Sequence, residues 1–239
     1  MGFSRHLFTT RAGGVSSGVW ASLNLRRSCG DDPVNVRENF RRVGEMIGCD
    51  RFVFLSQQHT DRVLHVDGSD AIRDIYQPLT EADGLITRTP ELALMVFSAD
   101  CVPILMEGEG VVAAVHAGWR GTVKGIAAKA VREMGCPPET IRAWIGPAIG
   151  PCCYQVGDEV RDALREQLGE EAEPFILGDK VDLKGFNRRL LERSGVRSID
   201  VSPVCTMCSH ETYWSHRYTG GERGVQCGVI VLNGREETA

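Results

Sequence analysis

Apolar residues recur along this chain with two periods, and each period predicts an element. Residues 7–10 (Leu-Phe-Thr-Thr) and 52–55 (Phe-Val-Phe-Leu) are short runs bounded by polar or glycine-containing segments, the pattern of strands. Between them Val36, Phe40, Val43 and Ile47 repeat at helical spacing. Asp32 followed by Pro33 supplies a cap and first turn for that helix, and Gly48 supplies its stop. A long apolar cluster, 92–106, is broken at Asp100-Cys101 and reads as two buried strand segments. Residues 111–115 predict another buried strand, which ends at His116-Ala117-Gly118-Trp119-Arg120-Gly121.

Val123, Ile126, Ala130, Val131 and Met134 then share one helical face, closed by Gly135 and Pro137-Pro138. Strand, glycine-bearing turn and helix is an order that displays functional groups at a helix N-terminus. Trp144-Ile145 ends a further strand ahead of a Gly/Pro turn at 146–151. Val156, Val160, Ala163, Leu164 and Leu168 mark one more amphipathic helix, and Leu183, Phe186 and Leu190 another. Residues 199–201 and 225–232 close the strand set. Helices and strands intermix, so the expected class is α/β (α+β), a layered sandwich with a mixed sheet flanked by helices.

Composition narrows the setting. A chain of 239 residues can bury roughly 70–75% of its unfolded surface around one core, and no repeat or linker divides it. One domain over 1–239 is therefore expected. The formal net charge of −5 argues against nucleic acid as a partner and leaves small anions open. The longest apolar run, residues 92–97, is far short of the ~20 residues of a membrane helix. The start shows no apolar stretch of signal-peptide length. Nine cysteines, an odd count, then read as reduced thiols in the cytoplasm.

Three residues follow or terminate apolar strands: His59, Cys101 and His116. Two imidazoles and a thiolate make a three-ligand zinc set with a fourth position for water. Cys101 and His116 also fit a nucleophile and its base. A buried thiol beside two hydrogen-bonded histidines remains the bland reading, and spacing alone does not separate the three.

Longer motifs do more. Gln58-His59-Thr60, Ala82-Asp83-Gly84-Leu85-Ile86-Thr87, Ala99-Asp100-Cys101-Val102-Pro103-Ile104 and the stretches 116–121 and 145–154 occur in that order. Together with Thr9-Thr10-Arg11-Ala12-Gly13-Gly14-Val15-Ser16 they resemble the YfiH family, also called the laccase-domain or peptidoglycan-editing-factor family. The resemblance spans nearly the whole chain. It implies a compact α/β sandwich with His59, Cys101 and His116 around zinc, or copper as the alternative. It also implies purine nucleoside phosphorylase activity on adenosine, inosine and methylthioadenosine, with adenosine deaminase activity beside it, in a monomer or homodimer.

Deamination fits the residues directly: hydroxide at the metal attacks C6 of adenine while a carboxylic acid moves the proton. Asp100, adjacent to Cys101, is the first candidate, and Asp83 the second. Phosphorolysis needs an anion site. Arg11 and Asn24 match family elements and are expected at phosphate or ribose, with Arg120 and Arg217 as further ligands. Trp119 is a candidate for stacking on the base.

The pattern departs from the family at two places. Arg26-Arg27 follows Ser-Leu-Asn-Leu where a glycine is usual, which adds positive charge near the pocket. His216 replaces an aromatic residue, and the usual aspartate of that loop is missing. Cys205-Thr206-Met207-Cys208 has a metal-type spacing with His210 and Cys227 as possible companions. Only one such pair is present, so thiols lining a pocket are expected there, and Cys152-Cys153 are expected to be structural. Two other functions compete: a Cys101–His116 hydrolase editing peptidoglycan precursors, and a copper-dependent polyphenol oxidoreductase. The last is the weakest, because six histidines without a His-x-His pair cannot furnish a multicopper centre.

Overall fold

A computed structural model of the chain describes residues 4–234. The first half runs β1 (Ser4–Phe8), α1 (Pro33–Ile47), β2 (Phe52–Phe54), β3 (Val63–Val66), β4 (Gly84–Thr87), β5 (Ala93–Ser98), β6 (Val102–Gly108) and β7 (Val111–Ala117). It continues with α2 (Trp119–Val123), α3 (Ile126–Met134), β8 (Arg142–Ile145), α4 (Asp158–Leu168), β9 (Ile176–Leu177) and β10 (Lys180–Val181). Then come α5 (Leu183–Arg193), β11 (Ser198–Val201), α6 (His216–Thr219) and β12 (Gln226–Leu232).

The strands form two mixed sheets rather than one. Four strands lie in the order β1-β12-β5-β2, and six in the order β11-β8-β6-β7-β4-β3. In the first sheet β2 and β5 run parallel while β12 is antiparallel to both of its neighbours. In the second, β3–β4 and β8–β11 are parallel pairs at the two edges. The small β9–β10 ribbon stands apart.

Three apolar layers glue this arrangement. Between the sheets lie Val53, Leu94, Val96, Leu105, Val112, Ala114 and Ile230, all essentially inaccessible to water. α1 covers the outer face of the four-stranded sheet with the stripe Val36, Phe40, Val43 and Ile47. The Phe40 ring meets Phe52, Phe54 and Phe97 at centroid distances of 6.4, 5.6 and 5.9 Å. Truncating such a buried ring costs about 3–5 kcal/mol. α3, α4 and α5 cover the six-stranded sheet through Ile126, Val131, Met134, Leu164, Phe186 and Leu191.

Local chemistry explains the element ends. Asp32 caps α1 by accepting from the Val34 N–H at 2.8 Å, and Gly48 ends it with φ of 69°. The apolar face expected over 123–134 is not one helix, because Gly125 (φ 71°) separates α2 from α3. The break at Asp100-Cys101 has a larger meaning. There the chain leaves β5 in one sheet and enters β6 in the other, with Asp100 at φ 93° making the corner.

Candidate functional site

The three donors gather along the seam between the sheets. His59 lies in the connection from β2, in the four-stranded sheet, to β3, in the six-stranded one. Cys101 lies in the β5–β6 corner that makes the same crossing, and His116 is the next-to-last residue of β7. One ligand atom from each lies within 4.8 Å of the other two. Cys101 Sγ is 3.6 Å from His59 Nε2, and the imidazole rings meet edge to face at 4.9 Å. Gly118 is required for this approach: a Cβ there would sit 2.4 Å from His59 Cδ2 and 3.2 Å from Cys101 Sγ.

Asp83 organises the set from behind. Its carboxylate, wholly buried, accepts from the backbone N–H groups of Gln58, His59 and Thr60 and from the Thr60 hydroxyl at 2.7–3.2 Å. Three consecutive amides can face one carboxylate because His59 adopts a left-handed φ of 59°. Asp83 Oδ1 also lies 2.8 Å from His116 Nδ1. That contact places the ring proton on Nδ1 and leaves Nε2 as the donor toward Cys101, the carboxylate–histidine pairing common behind metal ligands.

Charge follows from this packing. Burial raises the Cys101 thiol, but His116 and His59 outweigh it and bring its pKa down to about 6. Burial lowers that of His116, while Cys101 and Asp83 hold it up at about 9. Burial likewise works against ionised Asp83, yet the hydrogen bonds from His116 and Thr60 keep its carboxyl well below the usual range. The metal-free site therefore rests as a thiolate–imidazolium pair at neutral pH. A thiolate with two imidazoles, one anchored by a carboxylate, suits zinc and equally copper.

The set opens on a cavity of about 330 Å³ whose wall includes Arg26, Arg27, Ser98, Phe97 and Arg223. Arg27 Nη1, Ser98 Oγ and Arg223 Nε are buried and have no protein partner. Arg27 also stacks on Phe54 and Phe97, with its guanidinium 4.4 and 5.1 Å from their ring centres. Burial lowers the pKa of both arginines. Unsatisfied cationic donors around a hollow are what an anionic ligand needs.

Other expected residues fall elsewhere. Arg11 does not line this cavity: it stacks on Trp214 and donates to the carbonyls of Ala21 and His210. Asn24 is buried and donates to Asp31, so both residues hold the 11–31 loop and neither stands in the wall of this cavity. Arg120 stacks on Trp119, which packs against the helical layer, and Arg217 stacks on Tyr154 while donating to the Gln155 carbonyl. Burial raises the Tyr154 hydroxyl to about 12, against the opposing charges of Arg217 and Arg120. Asp100 has both oxygens engaged, by the Thr206 hydroxyl at 2.6 Å and the Arg217 N–H at 2.7 Å. These two contacts hold the corner that carries Cys101.

The companions expected for Cys205 and Cys208 need correction. Cys227 is buried in β12 beside Thr9, and His210 stacks on Tyr218 at 3.6 Å. Cys152 and Cys153 come to that loop instead.

Two stacked mixed sheets under helices, with a His–Cys–His donor set on their seam, define a layered α/β protein with a candidate mononuclear metal site. Residues 5–233 match the profile of the family described as "Multi-copper polyphenol oxidoreductase laccase". A purine nucleoside phosphorylase of Deinococcus radiodurans is 39% identical, over 97% of this chain and 90% of its own length. The purine nucleoside phosphorylase YlmD of Geobacillus stearothermophilus is 38% identical, over 96% and 89%. The crystal structure of the Bacillus licheniformis hypothetical protein YfiH superposes with a TM-score of 0.91 at 36% identity, covering 96% of this chain and 93% of that one. That of YlmD gives 0.90 at 37%, covering 97% and 92%. The chain belongs to the YfiH family of laccase-like proteins. Among the described residues no helix is long and apolar enough to cross a membrane.

Proposed function

We propose that this chain, as one domain in the cytoplasm, is a purine nucleoside phosphorylase for adenosine, inosine and methylthioadenosine that also deaminates adenosine. The observation that carries this reading is the cavity itself, with metal donors on one wall and unpartnered arginine donors on another. His59, Cys101 and His116 would hold zinc, or copper in its place. A bound divalent metal supplies Lewis acidity and a water acidic enough to be a nucleophile near neutral pH.

The protein's own groups account for the rest. Arg27 and Arg223 bind the phosphate that attacks C1′ of the ribose as the purine leaves with the bonding electrons. Arg120 and Arg217 add positive potential from beyond the Asp100–Cys101 corner. Phe97 supplies an apolar wall for the base, and Asp83 holds the His116 proton on Nδ1. Deamination uses the same pocket, with water adding at C6 and ammonia leaving.

Chromatography of adenosine incubated with and without phosphate tests both activities. Adenine formed only with phosphate supports phosphorolysis, and inosine supports deamination. Cys101→Ala and His116→Ala abolish both in this reading while the fold survives, and appearance of neither product with the native protein rejects it.

A second reading, a Cys101–His116 hydrolase, is favoured by the lowered Cys101 pKa. It requires activity in metal-free protein that alkylation of Cys101 destroys. Because the thiolate forms as pH rises through about 6, alkylation of the apo protein should already be near its plateau at neutral pH. Chelation that ends turnover, with Cys101 still reactive, rejects the hydrolase.

A further inference from the structure

Fifty-one residues of chain separate two cysteine pairs that nevertheless share one spot. Residues 146–154 form a tight turn after β8, and Ala148 bridges in parallel to Cys205. This register sets Cys152 and Cys153 against the Cys205–Cys208 turn. Cys208 Sγ lies 3.5 Å from Cys152 Sγ and 3.4 Å from Cys153 Sγ. All four sulfurs lie within 4.8 Å of one another. With Zn–S bonds of about 2.3 Å, the sulfurs of a tetrahedral site stand about 3.8 Å apart, so the cluster is already near the required size.

We propose that Cys152, Cys153, Cys205 and Cys208 form a second metal site that takes one Zn²⁺ in a tetrathiolate shell. It is independent of the His59 site, sharing no ligand with it. Thiolate sulfur is the donor type that zinc accepts in closed, structural sites. The surroundings suit the net double negative charge of such a centre. Lys180 Nζ donates to the Cys152 carbonyl at 3.0 Å, and the buried Lys184 ammonium bonds the carbonyls of Ser202 and Val204 just before Cys205. The Gly150 N–H already points at Cys205 Sγ at 3.2 Å, the kind of amide contact that metal-bound thiolates receive. Any thiol still protonated releases its proton on binding.

The site has a structural consequence. Thr206, between two of the ligands, donates to Asp100, which makes the corner presenting Cys101. A metal here would pin two turns together directly behind the candidate active site.

Cobalt reports the number of thiolates around it through its visible absorption, so it is the probe. The full chain carrying Cys101→Ala and His116→Ala, which blanks the first site, is purified anaerobically, stripped and titrated with Co²⁺. The expected result is one equivalent bound with the intense bands of tetrahedral tetrathiolate cobalt, displaced by one equivalent of Zn²⁺. Adding Cys208→Ser removes that equivalent or shifts the bands to those of a three-sulfur site. Circular dichroism checks the fold of that variant, and the stoichiometry in the blanked protein stands without it. No tight cobalt in the blanked protein, a spectrum of two or fewer sulfurs, or a disulfide among these cysteines in anaerobically purified protein overturns the proposal.

Discussion

Asp83 Oδ1 lies 2.8 Å from His116 Nδ1, and that single contact decides which nitrogen of the ring faces Cys101. The same carboxylate collects the amides of the loop that carries His59. One buried side chain thus aims two of the three donors.

Asp83→Asn should therefore weaken metal binding by about 10–100-fold, the usual cost of losing a partner behind a ligand. Competition against a chelating dye measures it. An unchanged affinity would show that His116 is held by packing alone.

The same residue sets an acid limit on stability. The Asp83 carboxyl is lower in the folded chain than its ordinary value of 3.8, so its contribution is complete above that value. It is lost as pH falls below 3.8 toward the folded value. Urea unfolding of metal-free protein across pH 2–6 should show this acid slope, and Asp83→Asn should flatten it. Asp83→Ala strips the buried His116 imidazolium of its carboxylate partner and should cost about 3–5 kcal/mol at neutral pH.

Gly118→Ala tests how closely the turn and His59 are fitted. The backbone there (φ −67°) accepts any residue, so the effect comes from the added Cβ, which would stand 2.4 Å from His59 Cδ2 and 3.2 Å from Cys101 Sγ. Overpacking of this kind costs about 1–3 kcal/mol, with His59 pushed away from Cys101. Metal affinity should fall by more than stability does. The reverse order, in paired dye-competition and thermal-unfolding measurements, contradicts a role for His59 as ligand.

Arginine substitutions separate anion binding from loop support. Removing a charged hydrogen bond costs about 1.5–3 kcal/mol, so Arg27→Ala or Arg223→Ala should raise KM for phosphate by about ten- to a hundredfold. Deamination, which needs no phosphate, should change much less. Arg11→Ala should lower the unfolding midpoint and leave KM for phosphate alone, because its donors serve Ala21 and His210. A phosphate effect confined to Arg11 would reverse this assignment.

The layers were legible where periodicity and capping agree. α1 has its stripe, its Asp32 cap and its Gly48 stop all written locally. His59, Cys101 and His116 were legible for a related reason: each follows or terminates an apolar run, and apolar runs build the sheets. β3 and β4 were not read as strands. The first is four residues long with an exposed His65, and the second opens on a glycine beneath Val63. Asp83 stands in the sequence only as a second candidate for moving a proton, because its hold on the 58–60 amides depends on a left-handed residue at position 59 that no local pattern announces. The arrival of Arg223 beside Arg27, and the meeting of Cys152 with Cys208, depend on long-range register. Spacing along the chain carries no trace of it.

Two of the three donors of the His59 site ride on strand connections that cross from one sheet to the other. The triad is consequently a gauge of how the halves of the sandwich are seated. A slide of one slab over its neighbour by a fraction of an ångström alters the bite offered to an ion, while either slab could remain internally intact. Capture of an ion there would wait for the halves to dock, and a chain with only one of them assembled would offer no grip.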